Sequence, residues 1–391
     1  MALVVLALVL VACGGGEENW PGVTTTSDND RLYISYKEQI VSLDAEKERL
    51  WTYDGDDKFF APVVIRDGRL YVGDYEGRIH AIDQESGDRI WLYEPERDSF
   101  MGFEFGAVDR VLGSVALNDE RLFFGDEHGV SALYIADLED GATPELDWSF
   151  ETGHSVWAQP LYLDQESEIC PDLDIAPTLF VASLDQKVYA LDPEEGTERW
   201  STDMGGGLPG GLTLDCERSR LYVGTLNGEV IALDLDGEIV DRYETESWVW
   251  GKPVLFNDSM LYFADLEGWL YEVELVDEGF GEVNKRRLSE ESLRASPLIV
   301  EDAAGDPVLV IGDKEGEVYA LDLNEPNWIS DRDVKVRWRK NIDNKALTDL
   351  VWLDGEEGQL VIIGGEEEDR LVVALRLEDG GDRAWSYKYG D

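Results

Sequence analysis

Histidine and cysteine are nearly absent from this 391-residue chain, three of each, and that scarcity removes several kinds of chemistry at once. No Cys-x-x-Cys pair exists, so a zinc site of closely spaced thiolates and imidazoles is excluded. Lysine is scarce beside arginine, and 33 basic residues face 85 acidic ones for a formal net charge of −52. So acidic a chain avoids nucleic acid and is repelled by anionic lipid surfaces. The apolar run at residues 1–12 is too short to cross a bilayer as a helix. The glycine-rich stretch at 205–211 has no Gly-Lys-Ser/Thr and no following helix, which excludes a phosphate-binding loop. Its glycines are read instead as letting backbone approach closely.

What is present is an internal repeat. Its clearest copies are RLYVGDYEGRIHAIDQESGDRIW (69–91), LFVASLDQKVYALDPEEGTERW (179–200) and RLYVGTLNGEVIALDLDGE (220–238). Weaker copies begin at Arg31, Arg121, Met260, Pro307 and Gln359, making eight. A period of 40–50 residues with strand-like content marks a propeller or solenoid. Within a unit, RLYVGD alternates apolar and polar residues and reads as a half-buried strand. A turn follows at 74–77, 225–228, 265–268 and 313–316, opened by Asp or Thr and closed by Gly. A second strand (IHAID, VYALD, VIALD), another turn and a strand bearing Trp complete the unit. A further stretch precedes each RLY block, as at 61–68 and 252–259. Four antiparallel strands per unit define one blade, so the expected fold is an all-β, eight-bladed propeller over residues 20–391.

The terminal aromatic recurs as Trp51, Trp91, Trp148, Trp200, Trp338 and Trp385, with Tyr243 near that place in the fifth unit and none clear in the sixth. Rings at one repeated place are expected to pack each blade on its neighbour. Longer spacings at 94–118, 136–147, 164–177 and 324–336 read as insertions. Residues 20–30 are expected to supply the innermost strand of the first blade and 384–389 the outer strand of the last. The ring then closes by packing, with no strand exchanged.

Residues 1–12 have the length of a signal-peptide core and end at Leu10-Val11-Ala12-Cys13. This resembles the lipobox of bacterial lipoproteins, although no Lys or Arg precedes the run. The resemblance implies diacylglycerol on Cys13, a tether over 13–19 and export to the cell envelope. Gly14 in place of Asp implies the outer membrane in a two-membrane cell and the outer leaflet in a single-membrane one. Cys170 and Cys216 fall in equivalent first-to-second-strand loops of adjacent blades. They form either a disulfide, which an exported setting permits, or two separate thiols. The dispersed acids read as a solvated surface suited to salty surroundings. Calcium at 137–141 or 170–174 is the alternative, and neither loop matches the EF-hand pattern.

The blocks LYVGxxxGxxxALDxxxGxxxW resemble the PQQ-type propeller repeat, carried by Ala81-Asp83-Gly87-Trp91, Ala190-Asp192-Gly196-Trp200 and Ala320-Leu321-Asp322. That resemblance implies the fold and leaves the activity open. One branch, the quinoprotein dehydrogenases, binds PQQ and calcium. Its members are considerably longer, and the vicinal cysteines of the alcohol dehydrogenases are missing here. The other branch, BamB-type outer-membrane assembly lipoproteins, is similar in length, lipobox and blade number, and implies a non-enzymatic docking scaffold for envelope proteins. A lipid-anchored, monomeric scaffold is the favoured expectation, with no cofactor. A PQQ- and calcium-dependent dehydrogenase, or a degenerate relative that binds a small molecule, is the alternative.

Aligning the first strands on Pro62, Pro160, Pro253 and Pro297 yields a column three residues earlier: Phe59, Val111, Trp157, Leu208, Trp250, Arg294 and Leu347. It is expected at the channel mouth. Alternation places Ala61, Gln159, Lys252, Ser296 and Asp349 on the same side. Exposed aromatics ringed by polar groups have the composition of an interaction hot spot, so Phe59, Trp157, Gln159, Trp250, Lys252 and Arg294 are the candidate partner-binding residues. The competing reading is that the aromatics only plug the channel. Trp248 is expected to face the core. His80 falls in a strand, His128 in a turn and His154 near the channel mouth, and no catalytic constellation emerges.

Overall fold

The computed structural model describes residues 20–391 except 96–97, 101–102, 106–109, 137, 139, 166–169, 172, 325–335, 347 and 357; at 98–100 and 103–105 only the backbone is described. The signal segment, the tether and Cys13 therefore lie outside the described residues, as does Leu347. Parts of both candidate calcium loops do too.

Eight four-stranded antiparallel blades follow one another along the chain. Blade two is representative: Val64–Arg66, Arg69–Gly73, Ile79–Asp83 and Arg89–Tyr93, each strand paired with the next. In blade one the middle two strands run as one element, Arg31–Asp44, which bends at Lys37 (φ 48°). Its first half pairs with Gly22–Thr25 and its second with Arg49–Phe59. The turn glycines at 77, 228, 268 and 316 have φ between 80° and 84°, which only glycine adopts freely. Each turn's opening side chain accepts backbone N–H groups: Asp74 from Glu76 and Arg78 at 2.9 Å, Asp265 from Glu267 and Trp269 at 3.0 Å.

The RLYVG strands are buried on both faces, not on one. Leu70 and Val72 are buried against blade one, Tyr71 against blade three. The reason is the architecture: a blade stands between two neighbours, so the two-residue period feeds two interfaces. Eight apolar clusters result, each made by two adjacent blades. An open stack of eight blades would have seven, so the eighth, which joins Val23, Leu32 and Ile34 to Leu353, Leu360 and Ile362, closes the ring. The outer strand of blade eight is Arg383–Tyr387 and the inner strand of blade one is Gly22–Thr25, and no strand is exchanged. Across this closure Asp354 N–H donates to Asn29 O at 2.8 Å, and the Tyr36 and Tyr389 rings lie 5.3 Å apart.

The repeated tryptophan works through a bulge. Trp91 faces Ala81, and the register then slips by one residue; the same slip recurs at Ala132, Ala190, Ala320 and Ala374. Bulges re-aim side chains, and here the indole reaches over the following blade. Trp51, Trp148, Trp200, Trp338 and Trp385 donate N–H to Gln84, Pro193, Leu235, Leu377 and Ala45 carbonyls at 2.7–3.1 Å. The rings lie on glycines 87, 196, 237 and 381, where a Cβ would meet the ring at 2.5–2.7 Å. Trp91 is buried, but its indole nitrogen has no partner among the described residues.

Tyr243 does not hold this place in blade five. It sits opposite Val230, and Asp241, four residues after Gly237 as Trp91 is after Gly87, faces Ala232 instead. Asp241 accepts the Phe280 N–H of blade six at 2.9 Å, a polar substitute for the indole contact.

Cys170 and Cys216 are bonded, with Cα atoms 5.5 Å apart at a sequence separation of 46, joining blades four and five. Closing a loop of that length is worth about 4 kcal/mol by chain entropy. Cys216→Ser is therefore expected to lower the urea midpoint substantially, as is reductant on the unaltered protein. Coincident unfolding curves with and without reductant would rule out this contribution.

Candidate functional site

The central channel is built by the segments that enter each blade. Backbone bonds set their register: Tyr75 N–H to Lys58 O, Leu184 to Ser155, Leu226 to Gly207, Leu266 to Trp248 and Lys314 to Ser292, all 2.8–3.0 Å. The next residue in each segment, namely Phe59, Val156, Leu208, Val249 or Leu293, is fully buried. The residue after that, Phe60, Trp157, Pro209, Trp250 or Arg294, lines the channel, which encloses about 840 Å³.

Phe59 is thus not a channel-mouth residue. Its ring packs edge-on against His80 at 5.1 Å in the interface of blades one and two. Pro62 stands one place earlier in its blade than Pro160, Pro253 and Pro297 do in theirs. A slip of one residue turns the side chain to the other face, and Phe60 takes the channel position. Val111 and Leu208 are displaced from the column in the same way and lie in the core. Trp248 is half-buried.

Trp157, Trp250 and Arg294 do meet. The two indoles are 6.3 Å apart and tilted by 47°, and the Arg294 guanidinium carbon lies 5.5 Å from the Trp250 ring centre, a cation–π distance. Between the two tryptophans blade five contributes only Pro209, Gly210 and Gly211. A Cβ on Gly210 would come within 2.8 Å of Trp250 O, so the glycines admit this approach. One layer deeper, Lys252 N–H donates to Ser296 Oγ at 2.9 Å, and Ser296 N–H to Asp349 at 2.7 Å. Gln159 donates to Val115 O at 2.7 Å and spans to blade three. The Lys252 side chain is reached by water yet surrounded by channel wall. That burial holds its ammonium below the ordinary lysine range, with Asp349 opposing.

Trp20 joins the rim with its ring 5.0 Å from Phe60. Phe60 also touches Tyr75, whose ring carries Arg110 at 4.6 Å. Neither contact is visible without the register of blade two.

One polar chain escaped the sequence reading. His80 sits between Asp74 at 3.1 Å and the Tyr53 hydroxyl at 2.8 Å, with both His80 and Asp74 fully enclosed. Burial alone would raise the Asp74 carboxyl, but the His80 and Arg78 contacts outweigh it and hold it below the usual range. No substrate can reach this chain, so it ties strands together. His154 Nδ1 accepts its neighbour's N–H at 2.8 Å, and the His128 N–H is bound by Asp126.

Calcium takes six to eight oxygen ligands. The described channel lining offers Asp349 as its carboxylate, beside Lys252 and Arg294. That set does not fit the PQQ–calcium pairing of quinoproteins.

These features define the class: a closed eight-bladed propeller of PQQ-type repeats with an aromatic and cationic channel mouth. The family model described as outer membrane protein assembly factor BamB matches residues 16–182 and 184–327, and the chain belongs to that family. BamB of Escherichia coli K12 is 22% identical over 66% of this chain and 70% of its own length. A quinohemoprotein alcohol dehydrogenase of Comamonas testosteroni is 27% identical over 43% of this chain, which spans only 27% of that enzyme. The crystal structure of BamB from Moraxella catarrhalis superposes with a TM-score of 0.64, covering 90% of this chain and 92% of that one at 16% identity.

Proposed function

We propose that this protein is a non-enzymatic, lipid-anchored scaffold of the cell envelope that binds partner proteins through its channel mouth. The observation that carries the reading is the Trp157–Trp250 pair, half-buried at the rim with Arg294 stacked on it. Large rigid rings beside an arginine supply binding area at low entropic cost. Diacylglycerol on Cys13 would hold the propeller at the membrane. A seven-residue tether reaches at most roughly 25 Å, and since Trp20 lies at the rim, the mouth would face the lipid surface.

The second reading, a degenerate quinoprotein that binds PQQ with calcium, is favoured by the dehydrogenase relatives and opposed by the single described carboxylate in the channel. One experiment separates them. Cross-linking capture of envelope proteins is expected to succeed with the unaltered chain and to fall at least about tenfold with Trp157→Ala plus Trp250→Ala, the usual scale for a lost hot spot. Calorimetric titration with PQQ and calcium is expected to give no heat. Saturable, calcium-dependent PQQ binding would sink the scaffold-only reading, as would capture indifferent to both tryptophans.

A further inference from the structure

The channel mouth also carries the chemistry of its occupant, an inference that rests on the scaffold reading above. In a chain of net charge −52, many cations elsewhere on the ring are taken up internally: Arg78 by Asp74 at 3.1 Å, Arg199 by Asp192 at 2.8 Å, Arg337 by Asp302 at 2.8 Å. Arg294 and Lys252 are different. Neither makes an ion pair among the described residues, and the buried Arg294 Nε has no hydrogen-bond partner. A buried donor left unsatisfied is costly, and both groups line one channel beside the two tryptophan rings. The other large cavity, about 1040 Å³ beneath the disulfide, differs in that its Arg199 and Arg218 are already ion-paired with Asp192 and Asp215, although Arg218 Nε also lacks a hydrogen-bond partner among the described residues.

We infer that the channel mouth receives an acidic segment of a partner polypeptide, with a carboxylate on Arg294 and an adjacent apolar side chain laid against the outer edge of the Trp157–Trp250 pair. The arginine fork matches a carboxylate with two parallel hydrogen bonds. Lys252 stands one layer deeper, two residues along the neighbouring blade's segment from Trp250, where it meets a second acid of the same segment. Gly210 and Gly211 put no side chain on the blade-five part of the channel wall, so the segment's backbone can lie along it. Complementarity of charge governs the choice: the surrounding surface repels acidic chains, and this mouth brings two cations without ion pairs, Arg294 and Lys252, into one lining that holds Asp349 as its described carboxylate.

The test uses the purified chain and two end-blocked peptides, Gly-Asp-Leu-Glu-Gly and its neutral counterpart Gly-Asn-Leu-Gln-Gly, titrated calorimetrically. The acidic peptide is expected to bind at least about tenfold more tightly, the scale of a charge-assisted pair. Arg294→Gln is expected to erase that difference, Arg294→Lys to restore part of it, and Trp157→Ala to weaken both peptides. Equal binding of the two peptides, or binding of neither, overturns the inference. So does a planar aromatic carboxylate such as PQQ that binds where the peptide fails. Partner capture lost in the tryptophan variants but intact in Arg294→Gln would sink the acidic occupant and leave the scaffold standing.

Discussion

Trp338→Ala is expected to destabilise the propeller by about 3–5 kcal/mol, the range for emptying a large buried aromatic site. The ring is 5% exposed and sits in the apolar cluster shared by blades seven and eight. Its N–H donates to Leu377 O at 2.7 Å, and its face lies on Gly381, where the turn adopts φ 73°. Removing the ring therefore opens a cavity and strips a partner from a buried carbonyl together. Trp338→Phe keeps most of the area and loses the N–H, so it should fall between. Gly381→Ala attacks the same contact from the other blade, by placing a Cβ about 2.6 Å from the ring. Urea unfolding followed by far-ultraviolet circular dichroism ranks the three. A Trp338→Ala midpoint within about 0.5 kcal/mol of the parent, the scale of an ordinary surface change, would mean that blades do not depend on these rings.

The same contact explains why much of this fold was legible before any coordinates. Fixed positions with strict geometric demands recur: glycine where φ must be positive at 77, 228, 268 and 316, aspartate where turn N–H groups converge, tryptophan at a bulge. Each demand is local, and repetition in several copies raises it above noise. What was illegible depended on counting across irregular segments. Blade two is entered through Gly55, Asp56, Asp57 and Lys58, where pairing skips from Gln39–Asp54 to Lys37–Phe59. A proline used as a register mark there is misplaced by one, and Phe59 goes to the core while Phe60 takes the rim. Tyr243 failed for a simpler reason: the repeat position, four residues past Gly237, is held by Asp241, and the ring lies two residues further on.

Long-range polar partners were illegible for a different reason. Tyr53 and His80 are 27 residues apart, and Arg294 and Trp250 lie on different blades. Only the packing of one blade on the next brings them together, and no local spacing encodes it. The column that placed Trp157, Trp250 and Arg294 succeeded where its proline marks were in phase. The cations were singled out by sequence, but that they lack partners emerges only once the surrounding acids have found theirs.

Asp265→Ala is expected to cost about 3–5 kcal/mol, since it leaves several buried donors unsatisfied at about 1–3 kcal/mol each. The carboxylate is fully buried and accepts four groups: Glu267 and Trp269 N–H at 3.0 Å, Ser247 N–H at 3.1 Å and the Tyr271 hydroxyl at 2.8 Å. The chain contains its own control. Blade five opens the equivalent turn with Thr225, whose hydroxyl oxygen accepts Glu229 N–H at 3.0 Å. Asp265→Thr therefore retains an acceptor for Trp269 N–H and loses the bonds to Ser247 and Tyr271, so it should cost roughly half as much as alanine. Tyr271→Phe removes the hydroxyl that would be stranded. In that background Asp265→Ala should be milder than alone, with a coupling of about 1 kcal/mol or more in the double-mutant cycle. Additive losses would mean that the hydroxyl finds another partner in the Asp265→Ala protein. The carboxylate's worth would then lie in shaping the turn, as Thr225 does with one oxygen, and not in joining the turn to the strand.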